Sequence, residues 1–124
     1  MDIQTIGIVG AGQMGNGIAH VMALAGYDVL LNDVSAEALQ KAVDTITGNL
    51  DRQVGRGKVT EADRDATLKR IVTTQTLEEL GQSDLVIEAA TERETVKQAI
   101  FEDLIPHLKP TTILTSNTSS ISIT

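Results

Sequence analysis

The chain has 124 residues, of which 41% are hydrophobic and 22% charged, so its composition predicts one globular domain rather than a disordered segment. A formal net charge of −7 and an aromatic content of 2% argue against a nucleic-acid partner, which would require cations and stacking side chains. The absence of cysteine excludes disulfides, thiolate catalysis and Cys-based zinc sites, and no metal site is predicted.

The first third of the chain alternates strand and helix patterns. A buried strand is predicted over 5–9, followed by a helix over about 14–25 that ends at Gly26, and a second strand over 28–32. The most apolar stretch, 18–26, is too short to span a bilayer. Because no basic signal-type segment precedes it, we expect a cytoplasmic protein without membrane contact.

A long helical segment follows the second strand. Ser35 is predicted to cap an amphipathic helix with an apolar face at spacings of three and four: Leu39, Val43, Ile46, Leu50 and Val54. A capping-box sequence opens a second helix over about 60–69. Since one crossover requires fewer residues, the segment of about 35–70 is interpreted as a helical-hairpin insertion.

Three more strands are predicted, at 70–74, 84–88 and 112–116, with a short helix at 77–81. A longer helix follows the strand at 84–88, with a predicted inner face of Val96, Ile100 and Leu104. Strands that alternate with helices in this way predict an α/β fold with a doubly wound parallel sheet, in one domain over 1–124.

The turn after the first strand has the pattern G-x-G-x-x-G, in the sequence Gly10-Ala11-Gly12-Gln13-Met14-Gly15. Gly10 permits a tight turn, Gly12 lets the backbone approach a pyrophosphate, and Gly15 lets the helix lie close to the strand. The helix would then direct free N–H groups and the positive end of its dipole at the phosphates. This context predicts a Rossmann-type dinucleotide site.

An acidic residue ends the second strand at the position such a site requires. Asp33 lies 18 residues after Gly15, where its carboxylate can accept hydrogen bonds from both hydroxyls of a ribose. A carboxylate repels a 2′-phosphate, and no basic residue occupies 34–36. NAD is therefore the predicted cofactor rather than NADP.

Polar residues follow the fourth and fifth strands, where a doubly wound sheet opens its ligand crevice. Glu92 and Lys97 can hydrogen-bond a ribose, or be a solvated acid and lysine. The hydroxyl-rich segment 116–120 can orient a carbonyl substrate, or be an ordinary polar loop. The base expected for alcohol oxidation is missing, because His20 and His107 both occupy positions typical of structural or surface residues.

Together these segments resemble the 3-hydroxyacyl-CoA dehydrogenase family, particularly bacterial 3-hydroxybutyryl-CoA dehydrogenases. The resemblance covers essentially the whole chain and is carried by GAGQMGNGIA at 10–19, Asp33, IEAATE at 87–92, Lys97 and SNTSSISIT at 116–124. The last of these segments is far more specific than the glycine turn.

The resemblance implies NAD-linked interconversion of a (3S)-3-hydroxyacyl-CoA and its 3-oxoacyl-CoA, such as acetoacetyl-CoA, in fatty acid metabolism. It implies that the glycine turn and Asp33 hold the adenosine and pyrophosphate, and that Glu92 and Lys97 line the nicotinamide-side ribose. Ser119 is implied to contact both the cofactor and the 3-oxygen of the substrate, with Asn117 supporting it in catalysis.

The predicted insertion carries a basic cluster, Arg52, Arg56 and Lys58, on an otherwise acidic protein. With the resemblance in view, Arg52 and Arg56 are predicted to attract the phosphates of CoA. Ser119 is also predicted to contact the CoA substrate. The alternative is a plain solvated face.

In this family a catalytic histidine in a His-Phe-Phe-Asn-Pro motif, and a helical dimerisation domain, follow further along the chain. We therefore expect the 124 residues to be a truncated domain of a homodimeric enzyme, inactive alone and with an uncovered sheet edge. Two alternatives stay open: a non-catalytic dinucleotide-binding module, and a β-hydroxyacid dehydrogenase acting on a free acid.

Overall fold

The computed structural model of the protein describes residues 3–90 and 94–116. Five parallel strands form one sheet in the spatial order β3-β2-β1-β4-β5. The strands are β1 Thr5–Val9, β2 Asp28–Asn32, β3 Ile71–Thr74, β4 Leu85–Glu88 and β5 Ile113–Ser116. This arrangement confirms the predicted doubly wound α/β fold.

Helices connect the strands. They are α1 Gln13–Leu24, α2 Ala36–Gly55, α3 Glu61–Arg70 and α4 Glu94–Leu104, with short 3₁₀ helices at Leu77–Leu80 and Ile105–His107. The hydroxyl of Ser35 accepts a hydrogen bond from the Ala38 N–H at 3.0 Å, and that of Thr60 accepts one from Asp63 N–H at 3.0 Å. Both predicted N-caps are therefore present, at the start of α2 and of α3.

The strand order places the functional edge of the sheet. The chain winds outward from β1 through β2 to β3, and then returns to place β4 on the other side of β1. The register pairs Val9 with Asn32 on one side and with Glu88 on the other, and Glu88 with Ser116. The carboxyl ends of β2, β1, β4 and β5 thus lie side by side, with the topological switch point between β1 and β4.

The core is aliphatic, as the near-absence of aromatic residues requires. One buried cluster lies where the sheet meets α1 and α2, and includes Ile8, Leu31 and Ile46. A second cluster contains Leu80, Val86 and Leu104. No helix in the described parts of the chain is both long and apolar enough to cross a membrane.

Two predicted helix faces were partly wrong. In α4 the inward position belongs to Lys97, which is 1% exposed, whereas Val96 is 38% exposed. In α2 the small Ala42 is buried where Val43 had been predicted, and Val43 is only half-buried. Hydrophobicity alone does not reveal that a lysine has a buried partner, or that a small alanine is buried more deeply than the valine beside it.

Candidate dinucleotide-binding site

The turn that follows β1 has a backbone shape that requires glycine at its first position. Gly10 has φ of +107°, a conformation that L side chains rarely adopt. A Cβ placed there would lie 2.6 Å from the Cα of Ala90, at the end of β4. The Gly10 N–H also donates to the carbonyl of Asn32 at 2.7 Å. The turn is therefore held against both neighbouring strands.

The other two glycines of the pattern differ in their surroundings. A Cβ on Gly15 would overlap the carbonyl oxygen of Gly10, so this position lets α1 begin directly against the turn. A Cβ on Gly12 would meet nothing within 4 Å. Gly12, Gln13 and Met14 are exposed, while Ala11 is buried. A ligand can therefore approach the backbone at Gly12.

The beginning of α1 is left open in a way that the beginning of α2 is not. The N-cap of α1 is Gly12, with no side-chain hydrogen bond to the first turn and no acidic residue in that turn. In α2, Ser35 caps the helix and Glu37 lies in the first turn. Free N–H groups at a helix start, together with the helix dipole, attract a phosphate.

Asp33 joins the glycine turn to the end of β2. Its Oδ2 accepts a hydrogen bond from the Ala11 N–H at 2.9 Å, and its Oδ1 accepts one from the Ser35 N–H at 2.9 Å. An ionised carboxylate has about four acceptor sites, so two remain after these bonds. These two acceptor positions can serve the ribose hydroxyls that the sequence predicts. The structure also shows that Asp33 fixes the glycine turn, a role that the sequence did not predict.

Two hollows flank the turn. One, of about 160 Å³, is bordered by the ends of β1 and β2 and is lined by Val9, Gly10, Asn32, Asp33, Val34, Gln75, Leu77, Ala90 and Ile100. The other, of about 430 Å³, is lined by Ala11, Gly12, Gln13, Asn16, Ala38, Lys41, Ala42 and Thr45. A larger hollow of about 630 Å³ lies between α2 and β3 and includes none of the glycines of the turn.

On the other side of β1, three polar side chains meet at the carboxyl ends of β4 and β5. The Lys97 Nζ lies 3.6 Å from the Glu88 Oε1 and donates to the Ser116 hydroxyl at 3.3 Å. The Ser116 hydroxyl in turn donates to the Glu88 Oε1 at 3.0 Å. Lys97 is 1% exposed and Glu88 is 0% exposed. We call this cluster the buried triad.

The buried triad was only partly visible in the sequence. Lys97 was predicted to line a ribose, and that contact stays a prediction. Among the described residues, its amino group faces Glu88 and Ser116. Glu88 and Ser116 were included in the segments 87–92 and 116–120 but were given no individual role. The available signal was an acid that ends an otherwise apolar strand, at a point where a doubly wound sheet opens.

The basic cluster of Arg52, Arg56 and Lys58 lies at the far end of α2. All three side chains are exposed, and Arg52 donates to the side chain of Asn49. Since a helix rises ~1.5 Å per residue, Arg52 lies roughly 24 Å along α2 from Ala36. The structure does not bring these cations to the glycine turn, and their contact with CoA stays a prediction.

Three predicted site residues, Glu92, Asn117 and Ser119, lie outside the described residues. The two histidines lie away from the glycine turn: the His20 Nε2 is 3.2 Å from the Gln53 side-chain oxygen, and His107 is exposed. In the described ranges, no group of three or more His, Asp or Glu side chains is arranged to hold a metal ion.

Comparison with known proteins finds relatives that match nearly the whole chain. The family model for the NAD-binding domain of 3-hydroxyacyl-CoA dehydrogenase matches residues 5–124. The chain is 57% identical over 122 residues to a 3-hydroxybutyryl-CoA dehydrogenase from Bradyrhizobium diazoefficiens, covering 98% of this chain and 42% of that protein. It is 49% identical over 124 residues to a 3-hydroxyadipyl-CoA dehydrogenase from Escherichia coli, covering 100% and 26%.

A solved structure extends the likeness from sequence to fold. The (S)-3-hydroxybutyryl-CoA dehydrogenase from Ralstonia eutropha superposes with a TM-score of 0.94 at 45% identity, covering 98% of this chain and 43% of that one. The chain therefore spans less than half the length of each of these three relatives.

Proposed function

The chain belongs to the 3-hydroxyacyl-CoA dehydrogenase family, through the NAD-binding domain of that family, and from this membership we propose that it serves an NAD-linked oxidoreductase. The proposed reaction interconverts (3S)-3-hydroxybutyryl-CoA, or a closely related 3-hydroxyacyl-CoA, and its 3-oxoacyl-CoA. The names of two relatives, a 3-hydroxybutyryl-CoA and a 3-hydroxyadipyl-CoA dehydrogenase, support a CoA thioester as the substrate.

One observation carries the cofactor assignment. The carboxylate of Asp33 accepts a hydrogen bond from the Ala11 N–H of the glycine turn at 2.9 Å, beside the uncapped start of α1. This arrangement supports a site in which residues 10–15 bind the pyrophosphate and Asp33 binds the diol of the adenosine ribose. Its negative charge, with no cation at 34–36, supports NAD over NADP.

NAD, when bound, supplies the site that accepts or returns hydride. The residues of this chain bind and orient it: we assign the distal ribose to Glu92 and Lys97, and the 3-oxygen of the substrate to Ser119 with Asn117 in support. Ser119 would then lie between cofactor and substrate.

The basic cluster is assigned to the CoA moiety. Arg52 and Arg56 are exposed guanidinium groups at the C-terminal end of α2, and the pyrophosphate and 3′-phosphate of CoA are strong anions. A cationic patch on a chain with a net charge of −7 concentrates such an anion locally. The proposal also includes a cytoplasmic location, a homodimeric enzyme and no nucleic-acid or membrane partner.

The experiment is a turnover assay of the full-length protein that contains this chain, with acetoacetyl-CoA and NADH, followed by the loss of NADH absorbance. Longer 3-oxoacyl-CoA substrates, 3-oxoadipyl-CoA, free acetoacetate and NADPH are compared in parallel. Preference for a CoA ester with NADH supports the proposal. Binding of NADH with no turnover would instead indicate a non-catalytic module, and turnover of acetoacetate alone would indicate a free-acid dehydrogenase.

A further inference from the structure

We propose that Glu88 is a positioning residue for the nicotinamide half of the cofactor, acting through the Lys97 ammonium and the Ser116 hydroxyl. This inference rests on the proposed function, which supplies the dinucleotide.

The contacts of Glu88 join three elements. Its Oε1 accepts from the Ser116 hydroxyl of β5 at 3.0 Å and lies 3.6 Å from the Lys97 Nζ of α4. Its Oε2 accepts a hydrogen bond from the Ala90 N–H at 2.6 Å, in the chain that leaves β4. One buried carboxylate therefore holds the ends of β4 and β5 and the side of α4 together.

The burial of this ion pair favours orientation over stability as its role. Glu88 is 0% exposed and Lys97 is 1% exposed, so both charges have been removed from water. Desolvation of a buried pair offsets most of its Coulomb attraction, and two apolar residues of similar volume would often stabilise a fold at least as well. What apolar side chains cannot provide is the fixed direction of an ammonium and a hydroxyl.

The place of the buried triad in the sheet identifies which half of the cofactor it serves. Asp33 directly follows β2 on one side of β1, and Glu88 and Ser116 end β4 and β5 on the other. A dinucleotide crosses the switch point of such a sheet, so its adenosine half lies towards β2 and its nicotinamide half towards β4 and β5. In sequence, Glu92 follows two residues after Ala90, and Asn117 directly follows Ser116.

The test compares Glu88→Gln with Asp84→Asn in the full-length protein. Asp84 is a matched control because it lies just before β4 at its opposite end, and its Oδ1 accepts from the Lys109 Nζ at 2.6 Å. Dissociation constants are measured for NADH and for ADP, which lacks the nicotinamide ribose. Glu88→Gln should weaken NADH binding on the order of tenfold while ADP binding changes by less than about twofold. Asp84→Asn should leave the ratio of the two constants unchanged.

A double variant tests whether Glu88 acts through its partner. If it does, Glu88→Gln combined with Lys97→Met should bind NADH no more weakly than Lys97→Met alone. Losses that simply add, or an NADH-to-ADP ratio equal to that of Asp84→Asn, would overturn the inference. Should Glu88→Gln fail to fold, Ser116→Ala is measured instead with the same expectations. Wild-type protein that binds neither ligand would overturn the proposed function itself.

Discussion

In the glycine turn, the space around each Cβ position shows which glycines the fold requires and which one a ligand requires. Gly15 has no space for a Cβ because the carbonyl oxygen of Gly10 occupies it, and Gly10 needs its positive φ. Gly12 is under neither constraint: its φ of −72° suits any residue, and no atom approaches the Cβ position within 4 Å. A side chain at position 12 is therefore expected to weaken ligand binding while leaving the fold nearly as stable.

Gly12→Ala should separate binding from stability. We expect NAD affinity to fall by about tenfold or more, because the added methyl group occupies the approach of the pyrophosphate, while the free energy of unfolding falls by no more than about 1 kcal/mol. Calorimetric titration and chemical denaturation measure the two quantities.

The matched control for that variant is Gly17→Ala in the same helix, where a Cβ also meets nothing within 4 Å. It should leave NAD affinity unchanged and raise stability by up to about 1 kcal/mol, because alanine favours a helix interior. Equal affinity losses in the two variants would remove Gly12 from the site.

At the scale of elements, β4 carries a charge pair at each end, and the two are built differently. The pair of Asp84 with Lys109, just before β4, is partly exposed, with the Asp84 side chain 20% and the Lys109 side chain 36% accessible. The Asp84 carboxylate also accepts hydrogen bonds from the Gln4 and Thr5 N–H groups at 2.9 and 3.0 Å, which fastens the start of β1 to β4. The pKa of Asp84 is held well below its usual range, mainly by the hydrogen bond from Lys109 and secondly by these two backbone hydrogen bonds.

This lowered pKa makes acid stability depend on Asp84. A carboxyl whose folded-state pKa lies below its unfolded value stabilises the fold above the unfolded pKa of about 4, and that contribution is lost as the pH falls from there towards the folded value. Asp84→Asn should therefore be less stable than wild type at neutral pH and lose less stability between about pH 4 and about pH 2. Denaturation curves across this range measure the effect; parallel pH profiles for both proteins would contradict it.

Element order and strand positions were predictable because each depends on local pattern. Apolar runs at 5–9 and 84–88, together with glycine and hydroxyl signals, predicted strands and caps close to those observed in β1, β4 and α2. Contacts between distant elements were not predictable. Glu88, Lys97 and Ser116 come from three elements, and no periodicity in one sequence pairs them. The same limit explains why Val96 was assigned to the inner face of α4.

At the scale of the whole molecule, a net charge of −7 coexists with two regions that are predicted to bind anions: the open start of α1 and the basic cluster at the end of α2. The two lie near opposite ends of α2. Under the proposed function the first region holds the dinucleotide and the second attracts the CoA phosphates. Substitutions in one region should therefore weaken binding of its own ligand without weakening binding of the other.

The double variant Arg52→Gln with Arg56→Gln tests the second region in the full-length protein. The KM for acetoacetyl-CoA should rise by roughly tenfold, and the difference should shrink as ionic strength increases because exposed charges are screened. NADH affinity should not change. Lys69→Gln, which removes an exposed cation from the last turn of α3, is the control. An equal rise in KM in that variant would show that Arg52 and Arg56 are ordinary solvated residues without a specific role in CoA binding.

The central claim is that the start of α1 and the carboxylate of Asp33 together bind NAD. Calorimetric titration of the folded protein with NADH and NADPH, repeated for Asp33→Asn, tests it most directly, with the exposed Asp28→Asn at the other end of β2 as control. We expect saturable NADH binding with preference over NADPH, and in Asp33→Asn about tenfold weaker NADH binding with a smaller preference. A folded wild-type protein that saturates with neither coenzyme, or unchanged discrimination in Asp33→Asn, would contradict the claim.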